Sequence, residues 1–572
     1  MKIKAKYMKI GELRTDNQGS ISEHFNKFFT NIGTTLDKKI PKSDTDPLKY
    51  IKASYNNSMF LRPCDHLEVS RIIDNLKVCS TGWDEVPSTV IKENKQILTP
   101  VLIHIINLSL VQGCFPQQLK LANIVPIFKA GDMELVGNYR PVSLLSTFSK
   151  IFERIFYDRL KSFLKIQKML FDLQFGFREA HSTYMAITIL MDKIIKALEK
   201  GHYVIGIFLD FSKAFDTVNH NILLKKLNHY GIRGVANKWI ASYLDNREQY
   251  CTFKSKSSKT AKITCGVPQG SILGPLLFLL YINDLGTISK KITTILFADD
   301  SNLFAEDTSL QNLQNIINSE MPILVDWLSS NRLSLNIGKT HAMVFGNLSE
   351  QDKKKVMINI GGQRLDIVDK TKFLGVILDN SLNWKPHIHY ITQKLAKSIG
   401  ILSQARKVLD RKTLIQLYYS FIYPYINYCN LSWGNSPESI LWPIFRLQKI
   451  ALRIVFNIRH RSSTQAVCKS FTLLRLPDIH LLNIGIFMHK YKHNSLPNIF
   501  NDFFIENRSI HNYPTRSAAN LRIPKVRTNI AERFIRKTGV NFWNLISGIL
   551  ETNCSVFTFK RHLKKYLVEK YI

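Results

Sequence analysis

Apolar positions change their period along the chain, and each change marks an element. Residues 22–40, "SEHFNKFFTNIGTTLDKKI", repeat at helical spacing and predict a short helix behind a polar lead. Residues 41–58 carry the Pro, Ser and Asn of a linker. Helical patterns recur from 61 to 120, including "HLEVSRIIDNL" and "LTPVLIHIINLSLVQG", before a strand "NIVPIF" (123–128) and a turn at Lys129–Gly131. Helices are predicted at 146–165, 182–200, 219–244, 272–285 and 309–329. Strands are predicted at 203–211, around 248–265, at 293–304, and at 341–347, 356–360 and 372–378. Beyond 385 the pattern is mainly helical, and a polar stretch at 506–529 precedes a short helical tail.

Two places in this pattern carry acid where the surroundings are apolar. "YVIGIFLDF" ends its run on Asp210, and "ILFADDSNLF" (295–304) sets Asp299 and Asp300 inside one. Burying an unpaired carboxylate is costly, and two side by side repel. Taken alone, Asp210 reads as a helix cap or turn, and "FADD" as a hairpin turn. Taken together, a strand end and a hairpin tip can share a face. Two carboxylates so held call for divalent cations, and two hard cations roughly 3.5–4 Å apart serve in-line nucleotidyl transfer. Neighbouring strand residues face opposite ways, which makes Asp300 the weaker partner. Between them, "GVPQGSILGPLLFLLYINDL" (266–285) reads as a tight loop before an apolar helix; a plain connector would look similar.

Charge sharpens this. The 572 residues, enough for about four domains, hold 78 Lys+Arg against 44 Asp+Glu, a net +34. Such an excess suits a polyanion, through counterion release, better than a merely soluble surface or an anionic membrane. Eight cysteines without a C-x-x-C pair support neither a zinc knuckle nor a disulfide framework. No signal peptide is evident, and the longest apolar run is too short for a bilayer. An intracellular protein, in nucleus and/or cytoplasm and not on a membrane, is expected; "DKKKV" (352–356) reads as a weak basic run or a solvated loop.

The ordered motifs "FLDFSKAFD", "GVPQGSILGP", "FADD", "LSLNIGKT" and "TKFLGVIL" resemble the palm of a reverse transcriptase. "NIVPIFKAGDMELVGNYRPVSLLSTFSKIFERI" and "LFDLQFGFREAHST" resemble the fingers of the non-LTR (LINE-type, jockey-like) enzymes, and "RSAANLRIPKVRT", "FWNLI" and "FKRHLKKYL" their C-terminal region. The resemblance implies an α+β right-hand polymerase fold with fingers, a palm of antiparallel sheet plus helices, a helical thumb and a helical C-terminal region. The expected segments are an N-terminal linker at 1–60, a helical extension at 61–120, fingers and palm at 121–380, thumb at 381–460, and a basic helical region at 461–572.

It also implies roles. Asp210, Asp299 and Asp300 would be the catalytic acids and ligands of two Mg²⁺ ions, with Mn²⁺ as the alternative. Phe215 would gate the nucleotide sugar against a 2′-OH, which argues against an RNA-dependent RNA polymerase; a core aromatic is the other reading. Gln269 and Gly270 would line the nucleotide pocket. Lys129 and Arg140 would hold triphosphate or template, and Lys339 would approach the pyrophosphate, each readable also as a surface charge. Phe373, Leu374 and Gly375 would form the primer grip. Gln174, Phe175, Gly176, Phe177 and Arg178, with Ser182 and Thr183, would shape the template path, though Ser182 reads equally as a helix N-cap. Implied partners are an RNA template, a DNA primer or target DNA, dNTPs and an element-encoded gag-like protein. The family's endonuclease domain is missing ahead of the fingers, so a truncated copy or partial gene model is expected. The competing reading is a catalytically silent relic that only binds nucleic acid.

Overall fold

A computed structural model describes residues 7–11, 13–51, 55–78, 80–509 and 520–571. Part of the polar 506–529 stretch, including most of "RSAAN", lies outside them. The chain divides into two compact units, one of residues 1–177, 209–290 and 320–339, the other of residues 178–208, 291–319 and 340–572.

The first unit is built on a sheet in which Tyr139–Leu144, Leu121–Phe128, Arg247–Phe253 and Lys256–Ser257 follow one another, with Ala261–Ile263 paired to Arg247–Phe253. The helix expected at 22–40 spans Gln18–Asp37, and its Ile21, Phe25 and Phe29, four residues apart, enter the core on this sheet. There Phe25 meets Tyr139 edge-on at 4.9 Å. The strand Tyr139–Leu144 went unread because "YRPVSL" is short and carries a proline; its partner register, Pro126 opposite Pro141, tolerates the missing donors.

The region 219–244 is two helices, His220–His229 and Gly234–Leu244. Gly231, at φ +88°, ends the first in a left-handed turn. The apolar helix expected at 272–285 is Leu273–Tyr281, closed by a 3₁₀ segment, Asn283–Thr287.

In the second unit a sheet runs Asp366–Ile367, His341–Phe345, Tyr203–Leu209, Asp300–Asp307, Thr293–Phe297. In this sheet His341–Phe345 pairs antiparallel with Tyr203–Leu209, and at the edge it pairs in parallel with Asp366–Ile367. The strand expected at 372–378 is a hairpin, Lys370–Phe373 with Val376–Asp379. Leu374 and Gly375, both at positive φ, turn it (φ 45° and 83°). "DKKKV" is mostly the end of a short helix, Glu350–Lys355, capped by Ser349 rather than a loop. From Lys385 onward the described residues are mainly helical, ending in Ile535–Ile546 and Val556–Glu569. The polar lead holds one unexpected piece in the first unit, a small hairpin of Met8–Ile10 and Leu13–Thr15 anchored by the buried Met8.

Candidate active site

In the second unit the strand Tyr203–Leu209 is buried from Val204 onward, flanked by His341–Phe345 and Asp300–Asp307. Phe208 locks it in place. Its ring stacks on His341 (5.6 Å) and meets Phe304 and Phe373 edge-on at 5.9 and 6.1 Å. Asp210 follows two residues later in the chain.

The run containing Asp299 and Asp300 resolves into a hairpin, Phe297 opposite Asp300, with Ala298 and Asp299 as its two-residue turn. Ala298 takes the left-handed conformation (φ 55°) and is buried, whereas Asp299 and Asp300 are exposed. The apolar flanks are core and the acids stand in water, so the desolvation cost anticipated for this run is not incurred.

In the first unit Asp210 is half-buried and starts no helix, which removes the helix-cap reading. Its carbonyl accepts from the Asn336 N–H (2.8 Å), Ser212 N–H donates to the Ser334 carbonyl (2.9 Å), and Phe211 bridges to Leu335. The "LSLNIGKT" segment is thereby tied beside Asp210. Lys339 N–H in turn donates to the Asn336 carbonyl (3.0 Å). Lys213, three residues beyond Asp210, is half-buried, and its ammonium donates to the Gly137 and Tyr139 carbonyls (3.3 and 3.4 Å). Burial lowers its pKa first; Asp216 opposes that, and the nearby charges of Lys129, Arg140 and Lys339 lower it further. The charges of these three basic residues, which lie in separate motifs, are thus felt at one half-buried lysine. Lys129, Arg140 and Lys339 are exposed at their tips. Such a set of cations offers the donors a polyphosphate requires.

Phe215 lies half-buried on the buried Phe278, stacked at 4.4 Å, with Phe177 edge-on at 6.1 Å. Gln269 donates to Asp216 (2.7 Å), and its carbonyl accepts from the Ser143 N–H (2.8 Å). Gly270, at φ 133°, passes so close that a Cβ would stand 2.5 Å from the Ser143 carbonyl oxygen, so only glycine fits. Burial pushes the Asp216 carboxyl up to about 6, against the Gln269 hydrogen bond and Lys213. The helix that follows is held at its start by Glu153, whose carboxylate accepts from Ile272 and Leu273 N–H (2.7 and 3.1 Å).

The remaining positions divide by exposure. Gln174, Phe175 and Gly176 are buried, with Gly176 N–H donating to the Gln174 side chain (2.8 Å), while Phe177 reaches the surface. In the second unit Arg178 is half-buried, and Ser182 sits at the N-cap of Thr183–Glu199 without a capping hydrogen bond from its side chain. Phe373 is buried, and the turn at Leu374–Gly375 is braced by the Tyr428 hydroxyl donating to the Leu374 carbonyl (2.7 Å).

Residues 127–378 match the family model for reverse transcriptase (RNA-dependent DNA polymerase). This segment is a reverse transcriptase domain. The domain implies a right-hand polymerase fold, in keeping with the mixed sheets and helices. The chain is 29% identical over 417 residues to the probable RNA-directed DNA polymerase from transposon BS of Drosophila melanogaster, covering 69% of this chain and 45% of that protein. It is 29% identical over 400 residues to the RNA-directed DNA polymerase from mobile element jockey of Drosophila funebris, covering 68% and 43%. A more distant match is the type-1 retrotransposable element R1 polyprotein of Bradysia coprophila, 26% identical over 80% of this chain and 45% of that one. The resemblance to LINE-type reverse transcriptases holds, and the chain spans less than half the length of these relatives.

Among the described residues no three His, Cys, Asp or Glu side chains cluster so as to hold a metal ion. The acidic positions, Asp210 half-buried and Asp299 and Asp300 exposed, fit one by donor type, since carboxylate oxygens suit hard cations. Sequence reasoning missed Lys213 and Asp216, although "DFSKAFD" displays both between the motif's own landmarks. It also missed Glu153, which has no local signal. No helix among the described residues is long and apolar enough to cross a membrane.

Proposed function

We propose that this chain is an RNA-directed DNA polymerase of a non-LTR retrotransposon, acting inside the cell. The observation that carries the reading is the reverse transcriptase domain at 127–378, which contains all three acidic positions and the Lys129–Arg140–Lys213–Lys339 group. Fingers and palm would occupy 121–380, thumb 381–460 and a basic region 461–572, behind N-terminal segments 1–60 and 61–120.

In the proposed reaction the 3′-hydroxyl of a DNA primer attacks the α-phosphate of a dNTP paired to an RNA template. The bond from the 3′-oxygen to the α-phosphorus forms as the α-phosphorus–oxygen bond to the β-phosphate breaks; pyrophosphate leaves and the hydroxyl proton passes to water. Asp210 and Asp299 would hold two divalent cations, Mg²⁺ or alternatively Mn²⁺, with Asp300 completing the acidic set. When bound, the ions activate the hydroxyl and carry the leaving group's charge.

Lys129, Arg140 and Lys213 would take the triphosphate, and Lys339 would give the departing pyrophosphate a proton. Phe215, rigid on Phe278, would stand where a ribose 2′-OH would clash. Gln269, held by Asp216, and Gly270 would floor the nucleotide. Phe373, Leu374 and Gly375 would support the primer end, and the 174–178 stretch would shape the template path through Phe177 and Arg178. An element-encoded gag-like protein is the proposed protein partner.

Purified chain on poly(rA)/oligo(dT) is expected to incorporate dTTP with Mg²⁺ and to stop when EDTA removes it. Binding of the template without incorporation would instead leave a nucleic-acid-binding relic.

A further inference from the structure

The second unit holds a cavity of about 490 Å³ that the polymerase reading does not use. Its walls come from the helix Thr183–Glu199, the strands Thr293–Phe297 and Asp300–Asp307, and the helical stretches around 499–503 and Ile535–Ile546. Five basic side chains line it against three acidic ones.

Most of that charge is already engaged. Asp192 takes the Arg536 guanidinium on both oxygens and Lys196 at 3.0 Å, while Glu306 takes Lys200 at 3.2 Å. Arg536 also lies over the Phe503 ring, 3.9 Å from its centroid. Lys193 is different. Among the described residues its ammonium makes no hydrogen bond or ion pair, although it is half-buried; burial lowers its pKa, and Asp192 and Glu306, each bonded to another cation, oppose that only through space. A desolvated, unpaired ammonium is costly unless an anion meets it. Beside it Val204, Phe304 and Phe503 offer an apolar wall.

We infer that this cavity binds a small organic phosphate of mononucleotide size, its phosphate on Lys193 and its body against Phe304 and Phe503. The volume lies in the range of ordinary ligand sites. Walls drawn from several separate elements suit a small molecule better than a nucleic-acid strand. The inference does not depend on the polymerase activity.

The test is lysine-acetylation footprinting of the whole chain in EDTA, read by peptide mass spectrometry, with AMP, adenosine, inorganic phosphate and oligo(dT) as separate probes. AMP is expected to protect Lys193. Adenosine or phosphate alone should do so at least about tenfold more weakly, the weight of one charge-assisted hydrogen bond. AMP affinity, measured by calorimetry, should fall about tenfold in Lys193→Gln and be retained in Lys193→Arg. Protection by oligo(dT) but not AMP, equal protection by adenosine, or unchanged AMP affinity in Lys193→Gln would each overturn the assignment. So would the absence of any protection.

Discussion

Asp284 and Asp299 sit fifteen residues apart and face opposite fates. Asp284 is sealed in the first unit. Lys226 donates to it at 2.6 Å and the Trp327 indole at 3.0 Å, and neither charged side chain of the pair has more than 1% of its surface exposed. Lys226 also donates to the Tyr281 carbonyl (2.7 Å), so both charged groups find their partners within the fold. Asp299 stands in the exposed turn of a hairpin whose flanks are core. A carboxylate that serves the fold is satisfied by the fold. Asp299 is instead exposed between flanks fixed in the core, and its proposed role lies in the chemistry.

The largest effect on stability should come from breaking the sealed pair. Asp284→Ala leaves the Lys226 ammonium buried without its counter-ion, and denaturant titration is expected to show a loss of about 3–5 kcal/mol. A loss under about 1 kcal/mol, the range of a surface pair, would end the contrast with Asp299. A smaller effect is expected at the sugar gate. Phe215→Val should raise rNTP use relative to dNTP by about tenfold or more, the selectivity of one well-packed apolar contact. An unchanged ratio would return Phe215 to the core.

The smallest effect concerns Asp216, whose raised pKa makes its ionised form costly in the fold. Below about pH 4 the folded and unfolded states both carry the proton. Between there and about 6 the folded state keeps it and the unfolded state loses it, so stability falls as pH rises through this window. Asp216→Asn, which keeps an acceptor for Gln269, should therefore gain about 2 °C or less over the native chain at pH 7 and less at pH 4. A gain that does not change with pH would remove the burial account.

How much of this was readable in the sequence depends on the range of the interactions concerned. The helices at 147–166 and 183–199 and the acidic hairpin follow from local period, and they lie close to where it places them. The hairpin at 370–379 hides in a continuous apolar pattern because its turn rests on Leu374, which normally avoids positive φ, and on Tyr428, far along the chain. The parallel edge pairing of His341–Phe345 is likewise invisible to any local rule. For the site, Lys129, Arg140 and Lys339 are recognisable by motif. Lys213, on which their charges act, emerges only once the fold sets its ammonium on the Gly137 and Tyr139 carbonyls. The acids of "FADD" sit in an apolar stretch yet are exposed, as the hairpin-turn reading of that motif implies.

We propose that Asp299 serves chemistry and not the fold. The most direct test is Asp299→Ala assayed for Mg²⁺-dependent dTTP incorporation on poly(rA)/oligo(dT), alongside its melting temperature. The account predicts a fall of about a thousandfold or more, the several kcal/mol a bound metal supplies, at an unchanged melting temperature. Incorporation within a few-fold of the native chain, or a fall matched by unfolding, would contradict it.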